Sequence, residues 1–579
     1  MGSGGRLPAS EDELQLANDF ANFFEDKILE IRKGFPPPRE GEVKLPEQSL
    51  SSFRAIALEE LRKIILSRPS KSCALDPIPT ALLKHPLILE AALPLLVKCV
   101  NESIESGNVP DCLKTSLVTP LLKKSSLDRD VLRNYRPVSN LPFISKVIEK
   151  VIAQQLVHFL NSNGLVDPLQ SAYRVGHSTE TALLKIKGDI DRALDSGQGV
   201  ILILLDMSAA FDTIDHGVLL SRLRGLGVNG MALDWCQSYL TLRTQAVVID
   251  GNKSAPKPLT CGVPQGSVLG PLLFSLYIQP LGAIIDQHSK MRHGFADDIQ
   301  LYATFEPTVP GLLAAIFKAE DCVRDVREWL APNHLQCNDG KTEFLVIASK
   351  YRMSRLQPLP TIQIGAASVR ASSQVRNLGA QFDAHLSMSP QVSSVVKSVY
   401  FQISRLAKVR RYLTDATCAR IINALITTRL DFQNSLLLGL PDCEISRLQR
   451  AQNSAARLLT GTRRREHITP ILKTLHWLPV RQRIDYKILL TVHNVLHRET
   501  SPGYLQEFLR LRSSARGLRS SADPWLLAIP MTKTQYGDRS LGVMAPRLWN
   551  SLPAEMRCHT DTNTFKKTLK TYLFRNIFD

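Results

Sequence analysis

The chain has 579 residues, 44% of them hydrophobic, enough for several sizeable cores, and no apolar run approaches the roughly 20 residues of a membrane span. The start lacks the charged and apolar regions of a signal peptide, and ten scattered cysteines without a Cys-x-x-Cys pair exclude a zinc knuckle and fit a reducing compartment, nucleus or cytoplasm. The net charge of +17 lies wholly in the last third, where residues 391–579 hold 30 Lys or Arg against 13 Asp or Glu. Such asymmetry points to a polyanion gripped through its phosphates, in a salt-sensitive way; a merely soluble helical surface is the alternative on charge alone.

In chain order, Met1–Gly5 reads as a flexible start. A helix is predicted over Glu11–Lys33 from the spacing of Leu14, Ala17, Phe20, Phe24, Ile28 and Ile31. Gly34-Phe35-Pro36-Pro37-Pro38 stops it and opens a linker to about Leu50. Residues 51–135 read as helices followed by a strand over Leu117–Lys124. Pro142 opens an amphipathic helix to Leu160, and Ser178 caps the helix after it. Val200–Leu205 is a continuous apolar run, a strand buried on both faces, and it ends at Asp206. Met207 to His216 continues this stretch and contains Phe211. Gly262, Gly266 and Gly270 surround Gln265 in a loop where missing side chains let backbone approach a ligand.

His293-Gly294-Phe295-Ala296-Asp297-Asp298-Ile299-Gln300-Leu301-Tyr302 reads as two apolar strands with the aspartates at a hairpin tip. Adjacent carboxylates repel unless a cation sits beside them, and a hard divalent ion prefers such oxygen donors. In isolation the pair is an ordinary solvated turn. Asp206 at the end of a second buried strand changes the balance, because a lone buried carboxylate there is costly. A helix over Leu312–Leu330, a turn over Asn338–Glu343 with Lys341, and a strand over Phe344–Ile347 follow. From residue 391, Arg-bearing helices over Val395–Leu413, Cys418–Leu430 and Ile445–Leu459 precede the basic run Arg463–Arg465, a short nuclear-import candidate. Trp477, Trp525 and Trp549 are core anchors or base-stacking platforms.

The stretches around Asp206, Gln265 and Asp297-Asp298, in this order and spacing, resemble the A, B and C motifs of reverse transcriptases. Asn134–Leu141, Gln170–Thr179, Leu475–Val480, Tyr536–Ser540 and Ala545–Pro553 resemble flanking text in the polymerases of vertebrate LINE-type non-LTR retrotransposons, so the resemblance covers nearly the whole chain. In full-length elements an endonuclease domain precedes the leader helix, and none is expected here. The resemblance implies a mixed α/β (α+β) right-hand polymerase. Its parts are an N-terminal helix and linker (1–50), fingers (51–195), a palm whose antiparallel sheet carries the acids (196–390), a helical thumb (391–470) and a basic C-terminal extension (471–579).

It further implies that Asp206 and Asp297 bridge two Mg²⁺ ions, with Mn²⁺ as the alternative ion, while Asp298 and the Met207 carbonyl complete the ligand set. Lys123, Arg136 and Arg174 face the incoming triphosphate, Phe211 excludes a ribose 2′-hydroxyl, Gln265 contacts the nucleotide, and Gly266 makes room for the template base pair. Lys341 stands near the pyrophosphate as a proton donor, although Gly340 occupies the place where many members carry aspartate. Phe295 likewise replaces a common tyrosine, and Val375–Gly379 resembles the primer grip. The expected function is RNA-directed DNA synthesis, with an RNA template, a DNA primer or target, and dNTPs as partners and no membrane. The alternatives are a catalytically silent, transposon-derived nucleic-acid-binding protein, and an RNA polymerase or untemplated transferase that Phe211 argues against.

Overall fold

A computed structural model describes residues 7–8, 12–37, 46–289, 291–512 and 524–579; Met1–Gly5 and most of the linker over 38–45 lie outside the described residues. Along the chain, helix α1 (Glu13–Lys33) precedes strands β1 (Thr115–Leu122) and β2 (Tyr135–Asn140), then helices α2 (Phe143–Ser162) and α3 (Thr179–Asp195). Strands β3 (Gly199–Leu205) and β4 (Thr244–Ile249) lead to the hairpin β5 (Arg292–Phe295) and β6 (Asp298–Phe305). Helix α4 (Val309–Leu330), strand β7 (Glu343–Ile347) and a second hairpin, β8 (Gln374–Asn377) and β9 (Ala380–Asp383), complete the mixed α/β part. Helices α5 (Ser389–Val409), α6 (Asp442–Thr460), α7 (Val480–His497) and α8 (Thr562–Phe578) dominate the rest. No helix among the described residues is long and apolar enough to cross a membrane.

The chain divides into two compact units. One comprises Met1–Asp167, Met207–Ile285 and Arg324–Asn338, and the other Pro168–Asp206, Asp286–Val323 and Asp339–Asp579. In the first, β1 pairs antiparallel with β2 and parallel with β4. Of the apolar face predicted for α1, Ala17, Phe20 and Phe24 are buried against Val118, Tyr135, Val247 and Ile249, joined by Leu16, whereas Leu14 is exposed and Ile28 and Ile31 are only partly covered.

In the second unit a wholly antiparallel sheet has the order β5-β6-β3-β7. Strand β3 is central, so its backbone groups pair on both edges and its side chains are buried on both faces, which is why it reads as an unbroken apolar run. Val200 and Leu202 pack with Leu183, Ile186 and Ile190 of α3 in one large core. That core extends through Phe382, Val392, Leu448 and Ile488 to Trp549 and Phe565, so residues beyond 471 share a core with the sheet. Trp549 is an anchor, fully buried with its indole N–H donating to the Trp525 carbonyl at 2.8 Å. Trp477 packs half-buried on the same core, and the Trp525 ring lies 4.2 Å from that of His497.

Local capping signals behave as read. Ser178 Oγ accepts from the Thr181 amide at 3.1 Å, while Thr181 Oγ1 accepts from the Ser178 amide at 2.9 Å. Boundaries move where Pro or packing intervenes. The helix expected from Val395 begins at Ser389, with Pro390 in its first turn, and ends at Val409. The helix expected over Cys418–Leu430 is Asp415–Ile422, one π turn over Asn423–Thr427, and Thr428–Asp431.

Burial on α7 pushes the Asp485 carboxyl up to about 6, with Arg481 pulling it down. Its folded form therefore prefers the proton, and ionisation above pH 6 costs stability that the unfolded chain does not lose. Asp485→Asn should stabilise by about 1–2 kcal/mol at pH 8, with the gain fading as pH falls from 6 to 4. Urea-unfolding midpoints at the two pH values check this; an equal gain at pH 4 would contradict it.

Candidate active site

The ladder between β3 and β6 ends with Leu205 opposite Ile299, so the next residues outward are Asp206 and Asp298. On the other side of β6, Phe295 pairs with Asp298, leaving Ala296 and Asp297 as a two-residue turn with Ala296 at φ +58°. A left-handed alanine is strained, and such two-residue hairpins demand that conformation. Asp297 therefore sits at the tip, and Asp298 is the first residue of the outgoing strand. Lys341, in a turn just before β7, donates from Nζ to Asp206 Oδ2 at 2.7 Å. Asp206, Asp297, Asp298 and Lys341 thus meet at one end of one sheet.

Electrostatics at this end are unbalanced. Loss of solvation, then the Asp297 and Asp206 charges, push the Asp298 carboxyl up to about 6 against the pull of Lys341, although the residue keeps an exposed surface. Asp297 is raised for the same reasons, desolvation first. Three carboxylates facing one lysine gain from an added cation. Among the described residues no group of three or more His, Cys, Asp or Glu forms a site that could hold a metal ion by itself. Mg²⁺ does not require one, because it binds through one or two carboxylates plus water and substrate phosphate, and this donor set fits that habit.

The turn is held by a residue to which the sequence reading assigned no role. Gln170 Oε1 accepts from the Ala296 amide at 2.9 Å and from the Ala172 amide at 3.1 Å, while Nε2 donates to the Ala296 carbonyl at 3.4 Å. Residues 169–171 run parallel along β5, with Gly294 N–H to Leu169 O and Ser171 N–H to Gly294 O, both 2.9 Å. A Cβ on Gly294 would lie 3.1 Å from Gln170 Nε2, so glycine permits this approach. The only signal for Gln170 was its place at the head of the Gln170–Thr179 stretch. Arg174, half-buried, donates from Nη1 to the Gln170 carbonyl at 3.1 Å.

The remaining predicted residues belong to the first unit. Phe211 stacks on Phe274, with ring centroids 4.6 Å apart. Gln265 Nε2 donates to Asp212 Oδ1 at 2.7 Å, and the Gln265 carbonyl accepts from the Ser139 amide at 2.8 Å. Gly266 has φ +130°, and a Cβ there would lie 2.4 Å from Ser139 O, so the close approach requires glycine. Gln265, Asp212 and Ser139 line a small cleft together with Phe24, Lys27, Pro137 and Gly262. Burial raises the Asp212 carboxyl, opposed by the Gln265 hydrogen bond and by Lys27 and Lys123. Asp212 and Lys27 were missed in the sequence; Asp212 could have been suspected from its place directly after Phe211. Lys123 Nζ donates to the Arg133 carbonyl at 2.7 Å, and Arg136 is exposed on β2 opposite Leu121. Met207 forms an isolated antiparallel bridge with Cys337.

A family model described as reverse transcriptase (RNA-dependent DNA polymerase) matches residues 121–382, which span every site residue expected from the sequence, with Lys27 lying before them. Over these residues the chain is similar to the reverse transcriptase domains of mobile elements. Among curated proteins it is 26% identical over 420 residues to the probable RNA-directed DNA polymerase from transposon BS of Drosophila melanogaster, covering 70% of this chain and 44% of that one. It is 28% identical over 358 residues to the corresponding protein from transposon X-element of the same organism, covering 60% and 38%. With the RNA-directed DNA polymerase from mobile element jockey, also of Drosophila melanogaster, it shares 24% over 368 residues, covering 62% and 39%. The chain thus spans less than half the length of these relatives.

Proposed function

We propose that this protein is an RNA-directed DNA polymerase, a nucleotidyltransferase that extends a primer 3′-hydroxyl with dNTPs on an RNA template. The observation that carries this reading is the convergence of Asp206, Asp297, Asp298 and Lys341 at one sheet end, inside the region matched by the reverse transcriptase model. Asp206, Asp297 and Asp298 are the residues that hold Mg²⁺, or Mn²⁺ in its place, and the Met207 carbonyl is the further ligand in this reading. Bound there, such ions lower the pKa of the attacking hydroxyl and neutralise charge on the triphosphate and the leaving pyrophosphate.

The chain's own groups do the positioning. Lys341 balances Asp206 before substrate arrives and, once released, protonates the leaving pyrophosphate. Lys123, Arg136 and Arg174 bind the triphosphate, the two arginines offering a planar fork that suits phosphate. Asp212 orients the Gln265 amide toward the nucleotide, and Gly266 leaves space for the template base pair. The fingers (51–195), palm (196–390), thumb (391–470) and extension (471–579) are the corresponding parts, and the basic helices after residue 391 track the backbone of an RNA–DNA duplex. Nucleus and cytoplasm are the compartments that suit this work.

The test is primer extension by the purified chain on poly-rA/oligo-dT with Mg²⁺ at low and moderate salt, alongside filter binding of the same duplex. Extension supports the reading. Tight, salt-sensitive binding without extension would replace it by that of a silent nucleic-acid-binding protein. Phe211 separates DNA from RNA synthesis. Phe211→Ala removes the ring braced on Phe274, so the preference for dNTP over rNTP, read as the ratio of kcat/KM values, should fall by about 10- to 100-fold. An unchanged ratio would remove Phe211 from the discrimination.

A further inference from the structure

We propose that Tyr504 and its neighbours in Gly503–Phe508, well outside the matched region 121–382, position the acidic hairpin from behind and are required to build its metal site. This rests on the polymerase reading above. Tyr504 lies in a short helical turn, Gly503–Leu505, and is 5% exposed. Its hydroxyl is 2.8 Å from Ser171 Oγ and 3.0 Å from Thr181 Oγ1, and Ser171 Oγ is 2.8 Å from His293 Nε2. Its ring meets the His293 ring edge-on, with centroids 4.9 Å apart.

The hydrogen bonds can be ordered from their far end. Thr181 Oγ1 donates to the Ser178 carbonyl at 2.9 Å, so it accepts from Tyr504. Tyr504 then accepts from Ser171, and Ser171 accepts from His293 Nε2–H. The order requires a proton on Nε2, and Nδ1 has no partner, which fits the neutral tautomer with a bare Nδ1. Burial holds His293 neutral, lowering it to about 3. Ser171 and His293 are 1% and 0% exposed, so the Ser–His pair has no access to a substrate and is not a nucleophile.

Both anchor points act on the turn that carries Asp297. His293 lies on β5, three residues before Ala296, and Ser171 adjoins Gln170, which clamps Ala296. A second route from the same segment reaches the other strand. Glu507 pairs with Lys185 at 2.9 Å, Lys185 pairs with Asp189 at 3.1 Å, and Asp189 accepts from the Tyr302 hydroxyl of β6 at 2.6 Å. Phe508 seats this segment on α3, where a Cβ on Gly188 would lie 2.7 Å from its ring. One six-residue segment thus ties down both strands of the acidic hairpin.

The experiment compares wild type with Tyr504→Phe, which keeps the ring and loses the hydroxyl, and with Ser171→Ala, which breaks the same chain one bond nearer the turn. Mn²⁺ affinity is read from the free-ion EPR signal, with Asp206→Ala as the reference for the site, and primer-extension kinetics are measured in parallel. Both variants should weaken Asp206-dependent Mn²⁺ binding by about tenfold and lower kcat similarly. The dNTP KM and duplex affinity should not change, and the double variant should lose little more than either single one. Wild-type Mn²⁺ affinity in a folded Tyr504→Phe or Ser171→Ala protein would overturn the positioning role even if extension is robust. Wild type that neither extends nor binds Mn²⁺ through Asp206 would instead overturn the polymerase reading, and this proposal with it.

Discussion

Asp206→Ala and Asp297→Ala are each expected to lower nucleotide incorporation by about 10³-fold or more while leaving the protein folded. Phosphoryl transfer asks little covalent chemistry of a protein, so almost all of its barrier lowering is positioning and charge, and these carboxylates are the negative charges at the sheet end. Stability should hardly suffer. The Lys341–Asp206 pair has a lysine side chain that is 65% exposed, and such a pair contributes under about 1 kcal/mol. Asp298→Asn should stabilise slightly at pH 7.5, by less than about 1 kcal/mol given its exposure, because the folded protein there resists the ionised form. Loss of function with unchanged or improved stability is the mark of residues kept for chemistry rather than for folding. Single-turnover extension and thermal melts read the two quantities, and retained Mg²⁺-dependent incorporation would sink the assignment.

Gln170→Ala is expected to cost about 2–3 kcal/mol of stability and to slow incorporation by about 10- to 100-fold. The substitution strips the amide of Ala296, a residue only 5% exposed, of its acceptor, and an unpaired buried N–H costs about 1–3 kcal/mol. It also releases a backbone held at φ +58°, which an L-residue adopts at a cost of about 1 kcal/mol. The turn then relaxes and Asp297 moves with it. Ala296→Gly removes that strain, so in the Gln170→Ala background it should recover part of the lost stability. It should not restore the lost rate, because a glycine turn is less constrained. Urea unfolding and extension rates of the two single variants and the double variant check this; additive losses would show that Gln170 does not act through Ala296.

Much of this protein was legible in its sequence because it depends on local periodicity and local chemistry. The run Val200–Leu205 determined a buried strand ending in a carboxylate, and Phe295–Leu301 determined a hairpin with Asp297 at its tip, although Asp298, expected there too, opens the outgoing strand. The Pro142 and Ser178 signals determined where two helices begin. Side-chain spacing along one strand or helix is enough for such statements. The basic last third likewise follows from counting charges. What only the tertiary structure decided are the meetings between distant residues: Lys341 with Asp206, 135 positions apart; Gln170 with Ala296, 126 apart; Gln265 with Asp212; and Tyr504 with Ser171, 333 apart. No period in the chain encodes them, because they depend on strand order, on the register that sets Leu205 opposite Ile299, and on the direction in which each side chain leaves its backbone. The sequence by itself determined which groups carry charge, and the packing of one core from the sheet to Trp549 decided which of them stand together.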